Sequence, residues 1–307
     1  MGTEFVQFSL TPILIGTLAS IACALPGNFL VLRQQALIGD AISHVVLPGI
    51  VVAFLVTGTI GTAPMLIGAA AAALVAVALI EGVRRLGRIE PGAAMGVVFT
   101  SMFAAGVLLL EQSDASSVHI DVEHAFMGNL ESLVWFQAKG WSSLFDPTAL
   151  KALPEELPRI AIVCASMIVL VGIFWRWLKI ATFDEAFAQA QGIPTRALGL
   201  GLVVSAAIAA VAAFDAVGSI IVIAMFICPP ASARLMTNHL GAQILWSIAF
   251  AVLSAVTGYV VAGYGPLWVG ATHAVSAAGM IATVSGIILG IACIFGPHRL
   301  RAAPAPM

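Results

Sequence analysis

Nine apolar runs, each about as long as a membrane-spanning helix, constrain this chain more than any other feature of its sequence. A helix needs about 20 mostly apolar residues to cross the hydrocarbon core of a bilayer. We therefore predict an all-α, polytopic membrane protein with about eight or nine transmembrane helices, forming a single transmembrane domain over residues 1–307. The runs cover residues 12–32, 40–58, 63–83, 91–110, 159–178, 197–214, 216–234, 242–263 and 268–296.

The composition leaves few charges for a surface that faces water. Hydrophobic residues make up 61% of the chain and charged residues 9%, whereas soluble domains have about 45–50% and about 25%. These values exclude a soluble globular enzyme, a disordered chain and a nucleic-acid-binding protein. We expect a lipid bilayer to surround most of the protein.

The placement of basic residues predicts the orientation of the helices, because Lys and Arg collect on the cytoplasmic side of membrane proteins. With residues 84–88 and 176–196 in the cytoplasm, ten basic residues lie inside and three lie outside. Acidic residues collect in the predicted outer loop, residues 111–158. The N-terminus is therefore predicted outside and the C-terminus inside.

The two runs on either side of Asp215 have two interpretations. They are either two short spans joined by a hairpin at residues 214–218, or a single span with a re-entrant piece. Asp215 and His273, which lies in the last run, are ionisable residues in apolar surroundings. Such residues are either hydrogen-bonded locally or functional, so both merit testing.

The strongest chemical pattern is an acidic residue and a histidine four positions apart, Asp40 and His44, within the run Ile-Gly-Asp-Ala-Ile-Ser-His. In a helix these two side chains share one face. A carboxylate and an imidazole suit Zn²⁺, Mn²⁺ or Fe²⁺, and the absence of a sulfur ligand argues against Cu(I). The alternative is structural: Asp40 caps the helix after Gly39, and His44 is satisfied by a neighbouring carbonyl.

The outer loop contains a second cluster of potential ligands, the stretch from His119 to His124 that includes Asp121 and Glu123. It could receive a cation or form an acidic docking surface. The alternative is a solvated acidic loop.

The inner stretch from Thr182 to Pro194 carries signals for a short helix between two spans. Asp184 and Glu185 stand where such a helix begins, and Gly192 stands where it ends. Phe183 and Phe187 are four residues apart and could form one exposed apolar ridge. This pattern indicates either a docking surface for a soluble partner or an ordinary interfacial helix.

Several enzyme signatures are absent from the sequence. None of the lysines follows a glycine, so the chain has no P-loop, and ATP hydrolysis is expected on a separate subunit. The chain also lacks the His-Glu-x-x-His pattern of zinc proteases and the Gly-x-Ser-x-Gly elbow of hydrolases. We therefore expect that the chain is not an enzyme.

Three segments, in order along the chain, resemble the ABC-3 permeases, the membrane subunits of bacterial ATP-driven importers for manganese, zinc and ferrous iron. The first is the run from Val31 to Gly49 that includes the Asp-x-x-x-His pattern. The second, from Thr182 to Pro194, is similar to the cytoplasmic coupling segment of that family. The third runs from Ala216 to Leu235.

The resemblance implies a multi-pass permease in the bacterial inner membrane that carries a divalent metal ion as its substrate and holds no permanent cofactor. Its implied partners are an ATP-binding subunit, an extracytoplasmic metal-binding protein and a second permease, either a copy or a paralogue. Asp40 and His44 match the pair that lines the ion path in the family. The coupling segment, residues 180–196, is implied to contact the ATPase through Phe183, Asp184, Glu185, Phe187 and Gly192.

Two departures from the family pattern leave questions open. Residues 264–273 follow the pattern loosely, and the outer loop is long. The long loop resembles that of variants that work beside a non-identical permease, so both a homodimer and a heterodimer remain possible.

Two other function classes remain as alternatives. A stand-alone secondary transporter or channel would move its substrate without ATP. An intramembrane enzyme could use Ser43 with His44 and Asp40, but adjacent residues point about 100° apart on a helix and form a poor nucleophile–base pair.

Overall fold

The computed structural model describes residues 2–58, 62–112, 130–268, 270 and 275–298, and these residues form helices and connecting segments without strands. We number the main helices in chain order. They are α1 (Thr11–Leu32), α2 (Ile38–Thr57), α3 (Thr62–Gly87), α4 (Pro91–Gln112), α5 (Glu156–Phe183), α6 (Glu185–Ala190), α7 (Thr195–Met236), α8 (Leu240–Trp268) and α9 (Ala277–Phe295).

Nine segments of the described residues are long and apolar enough to cross a membrane. A five-residue π-helix, Val6–Leu10, extends α1 at its N-terminal end, and α7 contributes two of the nine segments, Thr195–Phe214 and Ala216–Met236. The prediction of an all-α polytopic protein is therefore confirmed. Buried apolar side chains of α1, α2, α5, α7, α8 and α9 form one continuous core.

Helix α7 is divided at Gly218, whose backbone leaves the helical region with φ 79° and ψ 168°. In a straight helix, Gly199 and Phe226 would lie about 40 Å apart. Both residues nevertheless lie beside the last turns of α1, because Gly199 approaches the Arg33 guanidinium and Phe226 approaches Gly27. The chain therefore turns back near Gly218, as the hairpin interpretation predicts.

The predicted last span, residues 268–296, is wrong at its N-terminal end. Helix α8 continues through Pro266 to Trp268, and α9 begins only at Ala277. The side chain of Ser276 caps α9 by accepting a hydrogen bond from the Gly279 N–H, 3.5 Å away. The glycines and the proline near the end of α8 resemble a helix terminus in the sequence, but they are tolerated within the helix.

The N-terminal segment and the predicted outer loop pack together at one end of the molecule. Trp135 is 1% exposed and lies in a small apolar cluster with Val6 and Ala149. Its indole N–H donates to the Ala149 carbonyl at 2.9 Å, and its backbone N–H donates to the Gln7 carbonyl at 2.9 Å. Residues 130–155 are therefore a folded segment that packs on the N-terminal segment, not an open loop.

The opposite end gathers the basic residues that were predicted to be cytoplasmic. A cavity there is lined by four arginines from three parts of the chain, Arg33, Arg84, Arg85 and Arg196. Their convergence supports the predicted arrangement of the spans, because all four belong to the same predicted side of the membrane.

A buried polar cluster ties α1 to α8 within the core. The Asn28 amide donates to Ser247 Oγ at 3.0 Å, and the Gln243 amide donates to Asn28 Oδ1 at 3.2 Å. All three side chains are 0% exposed. Hydrogen bonds between polar side chains help to hold helices together where no water is available.

Candidate functional site

Asp40 and His44 lie one turn apart in the first half of α2, near the arginine-rich end of the molecule. Asp40 Oδ1 and His44 Nε2 are 3.4 Å apart. The two side chains are 30% and 33% exposed, respectively. The structure thus brings the predicted pair together and leaves it accessible to a small ion.

The structural alternative for Asp40 is wrong, because Asp40 does not cap α2. The helix begins at Ile38, its N-cap position is Leu37, and no side chain caps it. Asp40 lies within the first helical turn, where its carboxylate is free to face His44.

Two aromatic rings from α4 hold the imidazole of His44. The Phe99 ring stacks on it with centroids 5.4 Å apart and planes 19° apart. The Phe103 ring approaches edge-on at 5.7 Å and 77°. Neither residue is predicted from the sequence, because a phenylalanine in an apolar run carries no signal that separates it from an ordinary lipid-facing residue.

The glycines of the same motif fix α2 against its neighbours. A Cβ atom on Gly39 would lie 2.8 Å from the Phe226 ring of α7, and a Cβ on Gly49 would lie 2.5 Å from the Gly68 carbonyl oxygen of α3. Both positions therefore require the absence of a side chain. Close backbone approach at small residues is a common way of packing membrane helices.

The described residues contain no group of three or more His, Cys, Asp or Glu side chains that could hold a metal ion. The predicted cluster from His119 to His124 lies outside the described residues, and so does His273. The Asp215 side chain is likewise not described. Within the described part of the chain, Asp40 and His44 are therefore a pair without a third such side chain beside them.

The predicted short helix in the inner stretch is confirmed as α6, which follows α5 directly. Asp184 is its N-cap, and the Asp184 carboxylate accepts a hydrogen bond from the Phe187 N–H at 2.8 Å. An acidic N-cap satisfies a free backbone donor and also complements the positive end of the helix dipole.

Gly192 ends α6 in a Schellman motif. Its backbone has φ 76°, its N–H donates to the Gln189 carbonyl at 2.9 Å, and the Ile193 N–H donates to the Ala188 carbonyl at 3.0 Å. Glycine is favoured here because it adopts positive φ without strain. The chain then enters α7 at Thr195, whose hydroxyl donates to the Glu185 carboxylate at 3.3 Å.

Phe183 and Phe187 are both about half exposed, at 53% and 51%. The prediction that they share one helical ridge is wrong in detail, because Phe183 is the last residue of α5 and only Phe187 belongs to α6. The extended backbone of Asp184, with φ −146° and ψ 90°, separates the two helices. The segment still presents two half-exposed apolar rings four residues apart in the sequence, and the side chain of Ala188 within it is fully buried.

Arg33 connects this segment to the helix that carries the Asp–His pair. Its Nε donates to Thr182 Oγ1 at 3.2 Å, and a five-residue turn, residues 33–37, leads from Arg33 to α2. Burial lowers the pKa of the Arg33 guanidinium from its ordinary value, and nearby Glu185 partly offsets this effect. Arg33 and Thr182 are not among the site residues predicted from the sequence.

A family model described as the ABC 3 transport family matches residues 5–137 and 141–295. The chain belongs to this family. It is a multi-pass permease of the ABC type. Membership of this family favours an ATP-driven permease over a stand-alone transporter and over an intramembrane enzyme.

Curated relatives match over nearly the whole chain. The manganese transport system membrane protein MntD of Bacillus subtilis (strain 168) is 38% identical over 95% of this chain and 93% of its own length. The zinc transport system membrane protein TroD of Treponema pallidum (strain Nichols) is 32% identical over 94% of this chain and 74% of its own length.

A solved structure shares the fold. PsaBC from Streptococcus pneumoniae in complex with Fab matches with a TM-score of 0.72 and 27% identity, covering 98% of this chain and 96% of the matched chain. The family assignment therefore rests on sequence and on fold together.

Proposed function

We propose that this chain is the membrane-spanning permease subunit of an ATP-driven importer of divalent transition-metal ions, with ATP hydrolysed on a separate subunit. The observation that carries the proposal is the Asp40–His44 pair, a carboxylate and an imidazole 3.4 Å apart on an apolar span. Ionisable residues in such a span are costly and typically mark an ion pathway. The manganese and zinc systems named for the relatives support this class of ion.

The distance between the two donor atoms fits one ion held by both side chains. Zinc–ligand distances of about 2.0–2.2 Å and tetrahedral angles place two donors about 3.3–3.6 Å apart, and the pair has them 3.4 Å apart. The remaining coordination positions are left for water or for a second permease. A site with two protein ligands binds weakly, which suits a conduit because tight binding would slow release.

The same two ligands accept Mn²⁺, Zn²⁺ and Fe²⁺. We assign the choice among these ions mainly to an extracytoplasmic binding protein, which delivers the ion on the predicted outer side, near residues 111–158. Stacking on Phe99 fixes the orientation of the His44 ring, so the imidazole nitrogen faces the passing ion without a rotamer change.

We further propose that α6 is the contact with the ATPase. It is a capped helix that carries the half-exposed Phe187, and the half-exposed Phe183 ends the preceding helix, α5. Apolar rings are typical anchors of protein interfaces. Closure of the ATPase pair around ATP moves α6 and changes which side of the permease pair is open. Asp184, Glu185 and Gly192 hold the segment in shape.

The test of the ion pathway is metal uptake into vesicles that contain the permease, its ATPase and its binding protein. We expect ATP-dependent uptake of Mn²⁺ or Zn²⁺, and an initial rate at least tenfold lower for His44→Ala and for Asp40→Asn. His239→Ala is the matched control, because His239 is exposed at the start of α8, and it should stay within twofold of the wild type.

Full uptake by an assembled His44→Ala complex would refute the assignment of the pair. Uptake that needs no ATP would refute the importer mechanism itself. Because His239→Ala removes the same side chain from another place, an equal loss in both variants would indicate damage to the fold rather than to the pathway.

The test of the coupling contact is the binding of the ATPase to the permease in nanodiscs. Phe187→Asp places a charge on the proposed contact and should weaken binding by at least tenfold. Phe136→Asp is the control, since Phe136 is 70% exposed at the opposite end of the molecule, and it should leave binding unchanged. Normal ATPase binding by Phe187→Asp would contradict the proposed role of α6.

A further inference from the structure

A cavity of about 480 Å³ lies directly behind the coupling segment, between the ends of α1, α3 and α5 and the start of α7. This volume is within the usual range of a small-molecule site, about 300–1,000 Å³. Four arginines and two glutamates line the cavity, which gives it an excess of two positive charges. The charged residues are Arg33, Arg84, Arg85, Arg196, Glu81 and Glu185.

The internal ion pairs of the cavity do not use all of its positive charge. Glu81 pairs with both Arg84 and Arg85 through a single oxygen, Oε1. Arg33 gives its Nε to Thr182, and its Nη2 atom is buried without a hydrogen-bond partner among the described residues. A buried guanidinium nitrogen without an acceptor is costly, so the cavity favours a ligand that carries anionic oxygens.

An apolar groove continues from this cavity along the outside of α3 and α7. It has a volume of about 450 Å³ and shares Val77, Glu81, Arg85 and Leu200 with the cavity. Beyond these residues its lining is apolar or small, with Leu74 at the far end. The stretch of α3 from Leu74 to Arg85 is about 16 Å long, which is close to the hydrocarbon thickness of one leaflet, about 15 Å.

We propose that the cavity and the groove together bind one anionic phospholipid of the inner leaflet. The phosphate lies among Arg33, Arg84 and Arg85, and one acyl chain follows the groove between α3 and α7. Basic pockets between transmembrane helices on the cytoplasmic side are suited to the headgroups of acidic lipids. Leu74 and Leu200 are 46% and 39% exposed, so an acyl chain can enter from the side.

The charge of the cavity separates this site from the proposed metal pathway. The cavity nevertheless lies close to that pathway along the helices. Its lining includes Ile38, which precedes Asp40 by less than one turn of α2, and Met95, which precedes Phe99 by about one turn of α4. A divalent cation that left through the cavity would meet an excess of arginine, which repels it. An anionic ligand is therefore favoured there over the transported ion.

The test measures lipid binding to the purified full-length chain by native mass spectrometry, with phosphatidylglycerol, phosphatidylcholine and inorganic phosphate as probes. We expect one tightly bound phosphatidylglycerol per chain and weaker binding of phosphatidylcholine. Each arginine near an anionic lipid contributes about fivefold to affinity, so Arg33→Gln with Arg85→Gln should weaken binding about 25-fold. Arg176→Gln, which changes an exposed arginine of α5, should have no effect.

A second variant tests the acyl chain without changing any charge. Gly82 lines the groove, and a Cβ added there would meet nothing within 4 Å. Gly82→Phe should therefore fill the groove and lower phosphatidylglycerol binding at least tenfold. The control is Gly172→Phe on α5, where a Cβ also meets nothing within 4 Å, and lipid binding should be retained.

Four outcomes would overturn the proposal, and none of them depends on transport activity. Equal binding of phosphatidylglycerol by the wild type and the double arginine variant would exclude the cavity as the headgroup site. Equal effects of Gly82→Phe and Gly172→Phe would exclude the groove. Displacement of the lipid by inorganic phosphate at millimolar concentration, or crosslinking of Leu200 in the assembled transporter to a protein instead of a lipid, would assign the cavity to a different occupant.

Discussion

The N-cap of the coupling helix offers a prediction whose size follows from the structure. Helix α6 has six residues, which is too short for a helix to be stable by itself in water. The Asp184 carboxylate accepts a hydrogen bond from the Phe187 N–H at 2.8 Å. Asp184→Ala removes this bond and should cost about 1 kcal/mol, within a range of about 0.5–2 kcal/mol.

A loss of about 1 kcal/mol changes the equilibrium between the closed and the unravelled segment about fivefold. The amides of Gln191 and Ile193 report this equilibrium, because they donate to the Phe187 and Ala188 carbonyls within the segment. We expect their protection from hydrogen exchange to fall about fivefold in Asp184→Ala. Protection in α8 should not change, since the lost bond is local, and ATPase binding should weaken.

Asp184→Asn is the matched control because asparagine caps a helix about as well as aspartate but carries no charge. Its exchange protection should remain within twofold of the wild type. Unchanged protection in Asp184→Ala would refute the reasoning that the cap holds the segment. A loss of protection in Asp184→Asn equal to that in Asp184→Ala would show that the charge, rather than the cap, is what matters.

Three further predictions concern the neighbourhood of the Asp–His pair. Gly49→Ala would place a Cβ 2.5 Å from the Gly68 carbonyl oxygen, so it should separate α2 from α3 and cost about 1–3 kcal/mol of stability, measured by thermal unfolding in detergent. Gly96→Ala is the control and should be neutral, because its Cβ would meet nothing within 4 Å. Phe99→Leu removes the ring stacked on His44 and should lower metal uptake several-fold without changing ATPase binding. Thr182→Val removes the acceptor of the Arg33 Nε–H and should raise the ATP consumed per ion transported, whereas Thr182→Ser should not.

The apolar runs predict most of the fold because a bilayer leaves few options for the backbone. A backbone that meets lipid must satisfy its own hydrogen bonds, so a long apolar run becomes a helix. The same requirement explains why the predicted break after residue 263 is wrong. The local composition indicates a helix end there, but the helix continues past Pro266 to Trp268.

Local chemistry predicts the coupling segment better than it predicts the surroundings of the Asp–His pair. Asp184 and Gly192 act on their own neighbours, through a cap and a Schellman motif, and such signals can be read from adjacent residues. Phe99 stacks on His44 from another helix, and Arg33 bonds to a residue 149 positions away. These contacts depend on how the helices pack, which the sequence of one segment does not contain.

The turn between α1 and α2 lies between the proposed coupling segment, the proposed lipid cavity and the Asp–His pair. The Gln35 N–H donates to the Leu30 carbonyl at 2.8 Å, and the Ile38 N–H donates to the Gln35 carbonyl at 3.1 Å, so the turn is held by its own hydrogen bonds. We expect a movement of α6 to displace Thr182 and, through their hydrogen bond, Arg33 at the start of this turn. Asp40 lies in the first turn of α2, directly beyond it.

A lipid phosphate between Arg33 and Arg85 would join the end of α1 to the end of α3, on both sides of the start of α2. The bound lipid should resist separation of these two helix ends. It should not change the positions of the Asp40 and His44 donor atoms relative to each other, because both residues lie further along α2. The lipid should therefore change how efficiently ATP hydrolysis is coupled to transport, because coupling depends on this movement. It should leave the affinity for the metal ion unchanged, because affinity depends on the geometry of Asp40 and His44.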